Sequence, residues 1–202
     1  ANELHVAISN APATLDPRLA SDAEGDKIAA LVCDGLFART PGLETVPALV
    51  ESFTRLSDTS YRFVLRPGLR FSDGSVLTAE DVAFTYRSLL DGSIPSPYKG
   101  VFDRIAAVVV ESPSTLRIDL TEPYAPFLTM LTRGIVSRAA AIEAKEAFGF
   151  KPVCVGPYKV ERFTPEGEIA LVANAAYYAP LPRTPKLVFH VIKDDNIRVL
   201  KL

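Results

Sequence analysis

Histidine, cysteine and paired carboxylates are the side chains best suited to chemistry, and this chain holds few of them. Its two histidines are His5 and His190, and its two cysteines are Cys33 and Cys154. A zinc site would need all four to converge, and none of the usual short ligand spacings is present. A Ser/His/Asp triad would have to take its base from His5 or His190. Both stand in apolar, strand-like contexts, where a packed and hydrogen-bonded histidine is the ordinary outcome. Carboxylates pair at Glu80-Asp81 and at Asp194-Asp195. Two carboxylates can suffice for glycoside hydrolysis, but both pairs read as helix starts. No GxGxxG, P-loop, HExxH or GxSxG pattern occurs. The residues point away from an enzyme and assign no catalytic residue, metal ligand or cofactor. The cysteines leave two readings open, a single disulfide in an oxidising compartment or two separate buried thiols, of which the second is the commoner.

Composition narrows the classes further. The chain has 202 residues, with 22 basic and 24 acidic side chains and a formal charge of −2. Hydrophobic residues make up 48% and charged ones 23%, as in folded globular proteins and unlike disordered ones. A near-neutral balance without a basic run argues against nucleic acid as a partner. No stretch approaches the roughly 20 apolar residues of a membrane-spanning helix. The chain opens on Ala1-Asn2-Glu3-Leu4, the kind of start left when a signal peptide is cut after a small residue.

The elements that must position these side chains follow from periodicity and turn chemistry. Leu4 to Ile8 reads as a buried strand, and Asp22 starts a helix with Ile28, Leu31 and Val32 on one face. Gly35 falls where a left-handed helix end belongs. Glu51–Leu56 and Tyr61–Leu65 form a hairpin with a four-residue connection, Ser57 to Ser60. Thr78-Ala79-Glu80-Asp81 fits a capping box, and Val82, Tyr86, Leu89 and Leu90 make the stripe behind it. Asp91 to Gly100 reads as a loop. Ile105–Glu111 and Leu116–Leu120 pair around Ser112-Pro113-Ser114; Ser137 caps an Ala-rich helix running to Phe148. Tyr158–Phe163 and Ile169–Val172 form a third hairpin, and Lys186–Ile192 a last strand. A final helix with Ile197, Val199, Leu200 and Leu202 on one face has little chain left to cover it, so the sequence reads as truncated.

Several separated stretches together resemble the family 5 extracellular solute-binding proteins, which serve ABC transporters for peptides, nickel and related solutes. They are Thr14-Leu15-Asp16-Pro17, Asp34-Gly35-Leu36-Phe37 and Val46 to Ser52, then Tyr61 to Gly74 running on to Leu77–Val82, and finally Gly156-Pro157-Tyr158 with Asn174–Tyr178. Their order and spacing extend over nearly the whole chain. The turns Arg66-Pro67-Gly68 and Ser72-Asp73-Gly74 carry much of the likeness, and their roles are structural. Tyr158 and Tyr178 read as packed residues.

The resemblance implies a mixed α/β fold of the periplasmic-binding-protein type, two-lobed and here truncated. Residues 1–37 and 153–202 would form part of lobe I, and residues 38–152 a hairpin-rich inserted lobe II. It implies a substrate-binding component of an ABC importer that captures a peptide or similar small solute between lobes. It would deliver that solute to membrane permease subunits, in the periplasm or outside the cell, tethered or free. Cofactors are not implied. Ser21, Asp22, Arg133 and Gly134 are the implied solute contacts, with Arg133 pairing a ligand carboxylate. Gly35, Val153, Cys154 and Gly156 are the implied hinge. Because the junction at Cys154 resembles that hinge and lies near the helix bearing Cys33, a Cys33–Cys154 disulfide is also implied. A carboxylate-dependent hydrolase and an interaction domain of the same fold are the alternatives.

Overall fold

In a computed structural model, which describes residues 3–165 and 167–194, runs of short strands are interspersed with short helices. They run β1 (Glu3–Ile8), α1 (Ala23–Val32), β2 (Phe37–Arg39), β3 (Thr45–Pro47), β4 (Val50–Ser57), β5 (Ser60–Leu65), α2 (Ala79–Leu90) and α3 (Lys99–Phe102). There follow β6 (Ile105–Ser112), β7 (Thr115–Leu120), α4 (Phe127–Met130), α5 (Arg138–Ala144), a 3-10 segment (Lys145–Phe150), β8 (Tyr158–Phe163), β9 (Glu168–Ala173) and β10 (Lys186–Val191).

Two four-stranded sheets organise the molecule. The first, in the order β1-β10-β9-β8, joins distant parts of the chain: β1 lies parallel to β10, with Leu4 opposite Leu187, and the other pairs are antiparallel. The second, β4-β5-β7-β6, is antiparallel throughout and comes from the middle of the chain. A small ribbon of β2 and β3 pairs with neither sheet, though Phe37 of β2 packs on Phe53 and Phe63 of the second.

Side-chain alternation decides which face of each sheet is buried. On β5 and β7, Phe63 and Leu65 join Leu116, Ile118 and Leu120 on one face, and α2 lays Val82, Tyr86 and Leu89 against them. Burying each such side chain contributes about 1.5–3 kcal/mol, enough to hold the helix on the sheet. The first sheet turns Ile169, Leu171, Leu187 and Phe189 toward Ile28 and Val32 of α1. Val136, Ala141 and Phe148 pack in this same core, so from residue 136 onward the middle stretch sides with the first sheet. Tyr86 is fully buried, stacks on Phe102 at 5.7 Å, and its hydroxyl has no partner among the described residues.

Several expectations need correction. Helix α1 ends at Val32 with Cys33 in an extended conformation (φ −128°), and Gly35 is not left-handed. The hairpin of β4 and β5 turns on two residues, Asp58 and Thr59, because its strands run on to Ser57 and Ser60 through a bulge. The helix after Ser137 stops at Ala144. Lys145 takes φ 51° and the chain continues as a 3-10 turn to Phe150. The expected loop of residues 91–100 is cut short by α3, which already begins at Lys99. The expected terminal helix with Ile197, Val199, Leu200 and Leu202 lies outside the described residues.

Candidate functional site

Three chain segments meet where the two sheets adjoin: the end of α1, the stretch after α4, and residues 153–156. Cys33 and Cys154 are joined by a disulfide, with their Cα atoms 4.9 Å apart. Around it, Asp34 N–H donates to Val155 O (2.7 Å), Ile135 N–H to Asp34 O (2.9 Å) and Ser72 N–H to Cys154 O (2.9 Å). Such close backbone packing excludes side chains. A Cβ on Gly134 would lie 2.6 Å from Cys33 Cβ, and one on Gly35 would lie 2.6 Å from Leu131 O. That tertiary approach, and no helix end, is what requires glycine at 35.

Beside this junction opens a cleft of about 330 Å³, lined among others by Pro17, Asp26, Asp34, Arg39, Arg133 and Gly134. Arg133 is held from two directions. Its Nη1 donates to Asp26 Oδ1 (2.6 Å) and to Pro17 O (3.4 Å), and its Cζ lies over the Tyr98 ring, 3.7 Å from the centroid. Nε and Nη2 have no acceptor among the described residues, and neither has Arg39. A guanidinium edge in that state can fork onto a carboxylate. The cleft wall near Pro17 is itself rigid: Arg18, buried, donates from Nε and Nη2 to the two carboxylate oxygens of Asp16 (3.0 and 2.7 Å).

The second charged feature is Asp34. Its Oδ2 accepts hydrogen bonds from Tyr177 Oη (2.8 Å) and Tyr178 Oη (3.1 Å), and Arg66 lies over the Tyr178 ring. Burial holds this carboxyl above the ordinary aspartate range, although the two phenols pull it back. Burial, reinforced by the Asp34 charge, pushes Tyr178 up to about 12 and raises Tyr177 as well.

The sequence profile described as bacterial extracellular solute-binding proteins, family 5, middle region, matches residues 44–202. The chain belongs to this family. Protein XP55 of Streptomyces lividans is 30% identical over all of this chain and 38% of its own length. The glutathione-binding protein GsiB of Escherichia coli O1:K1 is 28% identical over all of this chain and 40% of its own. The structure of MoaA from A. tumefaciens R10 in complex with mannopinic acid superposes with a TM-score of 0.91 at 26% identity, covering 98% of this chain and 42% of that one. The chain thus spans about two fifths of the length of these relatives. Its fold is the mixed α/β fold of periplasmic binding proteins.

In this family 5 chain the expected site residues separate. Arg133 and Gly134 line the cleft; Ser21 and Asp22 do not. The Asp22 carboxylate caps α1, accepting from Gly25 N–H at 2.7 Å. Gly35, Val153, Cys154 and Gly156 stand at the cross-braced junction, and the Gly156 carbonyl accepts from Asn174 Nδ2 (3.0 Å). Glu80 and Asp81 start α2: Thr78 N–H donates to Asp81 Oδ2, and Arg138 N–H to Asp81 Oδ1, both at 2.9 Å. His5 and His190 contact each other, Nδ1 to Nε2 at 2.8 Å, on the half-exposed side of the first sheet. Among the described residues no group of three or more His, Cys, Asp or Glu is placed to hold a metal. None of their helices is long and apolar enough to cross a membrane. Nothing in the sequence announces the meeting of Asp34 with its phenol partners: Asp34-Gly35 and Asn174–Tyr178 are family-like stretches far apart, and Tyr178 reads only as a packed residue.

Proposed function

We propose that this chain contributes to the substrate-binding component of an ABC importer, capturing a small peptide-like solute that carries a carboxylate. The observation that supports it most is Arg133, restrained at Nη1 and across one face while Nε and Nη2 remain without a protein acceptor at the cleft. Glutathione and mannopinic acid, the ligands named for two relatives, are both carboxylic acids. Residues 1–37 and 153–202 would form part of one lobe and residues 38–152 an inserted one, whose last stretch, with Val136, Ala141 and Phe148, packs back onto the first sheet. A solute touching both sides of the cleft would favour a closed form by its differential affinity, and membrane permease subunits would read that form. The disulfide and braces at residues 33–35 and 153–156 make this crossover a stiff pivot, with Gly35, Val153, Cys154 and Gly156 at its centre. A disulfide accords with the periplasm or cell exterior. Binding, without bond-making chemistry, is the whole activity proposed; Ser21 and Asp22 would contribute at most through the loop they form.

The test is native mass spectrometry of gently purified protein, followed by titration with the species that co-purifies and with its carboxamide. A small carboxylic acid is expected. Its affinity should fall about tenfold or more in Arg133→Ala, since a charge-assisted fork is worth at least about 1.4 kcal/mol. An amide bound as tightly as the acid, or an Arg133→Ala protein that binds unchanged, refutes the assignment.

A further inference from the structure

Tyr98 does not line the cleft, yet it is the residue in closest register with the group that matters there. The Arg133 guanidinium carbon sits 3.7 Å from its ring centroid. The ring is fixed at both ends. Its hydroxyl donates to Ala20 O, and its backbone N–H donates to Ser96 Oγ (3.2 Å), which in turn donates to Arg18 O (2.7 Å). The loop before α3 is therefore clasped to the turn before α1, and that turn is anchored by the buried Arg18–Asp16 pair.

We propose that Tyr98 is a positioning residue for solute recognition, its ring fixing the plane of the Arg133 guanidinium so that the Nε–Nη2 edge is presented ready to fork onto a carboxylate. The inference rests on the carboxylate reading of the cleft and adds the residue that makes it specific. Without the ring, Arg133 would be tethered at a single nitrogen. One tether, Asp26, is half-exposed, and exposed pairs restrain little; the other, Pro17 O, is at 3.4 Å. Two bonds from one nitrogen, to an exposed carboxylate and a distant carbonyl, would then hold the guanidinium plane only loosely. A stacked guanidinium keeps its planar fork in one orientation, so less motion is lost when a carboxylate arrives.

Nuclear magnetic resonance on the 202-residue chain tests this, with acetate as the probe at constant ionic strength and Arg133→Lys used to assign the Arg133 signals. In the wild type the Tyr98 ring should shift the Arg133 Cδ protons upfield, and Nε–H should give a distinct, slowly exchanging resonance that acetate moves. Tyr98→Phe keeps the ring and should reproduce both features. Tyr98→Leu should abolish the ring shift, average the Nε–H signal and weaken the acetate response about five- to tenfold. An unshifted Arg133 in the wild type overturns the proposal, and that spectrum decides even if Tyr98→Leu fails to fold. Equal acetate responses in wild type and Tyr98→Leu overturn the positioning role alone, as does a Tyr98→Phe protein that behaves like Tyr98→Leu. No acetate response in any protein refutes the carboxylate reading underneath it.

Discussion

Reducing the Cys33–Cys154 bond should be the most damaging small chemical change to this chain. The two residues are 121 positions apart, and the loop they close contains the whole of the second sheet. In the chain-entropy account, cross-linking over that separation removes about 16 cal/mol/K from the unfolded ensemble, or about 5 kcal/mol at 25 °C. For a domain of this length each kcal/mol moves the melting temperature by about 2–4 °C, so a fall of about 10–20 °C is expected on reduction. Both cysteines are buried, so the freed thiols stay within the core, and the cost of accommodating them there adds to the loss. The assay is urea unfolding followed by circular dichroism, on oxidised protein and on protein reduced while unfolded and then refolded under dithiothreitol. Two reactive thiols in oxidised, denatured protein would refute the reasoning at its root. A stability loss below about 1 kcal/mol would refute the entropic argument.

Two further outcomes follow from polar groups in unusual surroundings. Tyr86→Phe removes a buried hydroxyl without a described partner and should raise stability by about 1 kcal/mol; a comparable loss in thermal melting would show that the hydroxyl is hydrogen-bonded. Asp34 has a folded-state pKa above the ordinary 3.8, so its proton contributes stability fully below that pH and the contribution is lost as pH rises through the folded value. The stability of wild type relative to Asp34→Asn should therefore decline from pH 3.8 toward neutrality, and a difference that stays flat across denaturation curves in that window contradicts the burial argument.

Local signals revealed the regular elements and missed those made by tertiary contact. The alternation of Leu116, Ile118 and Leu120 and the box at Thr78–Asp81 are written in adjacent residues, and both appear as read. Strands β2 and β3 have three residues each, too few to show a period. Gly35 looks in sequence like a helix end because nothing nearby announces the Leu131 carbonyl against which it packs. The same holds at the cleft. Arg133 came from likeness to a family, while Asp34 finds Tyr177 and Tyr178 across 143 and 144 residues, a meeting no local pattern encodes. Asp22 illustrates the converse: its helix-start chemistry was plain in sequence and accounts for where its carboxylate goes.

The parallel pairing of β1 with β10 sets an order of events during synthesis. Leu4 has its strand partner only when Leu187 has been made, whereas each strand of the second sheet meets a neighbour already emerged or about to emerge. At about 5–20 residues per second, β1 waits roughly ten seconds or more for its parallel partner β10. A strand with open edges for that long invites wrong partners, so this stretch of the nascent chain is where a chaperone would have the most to shield.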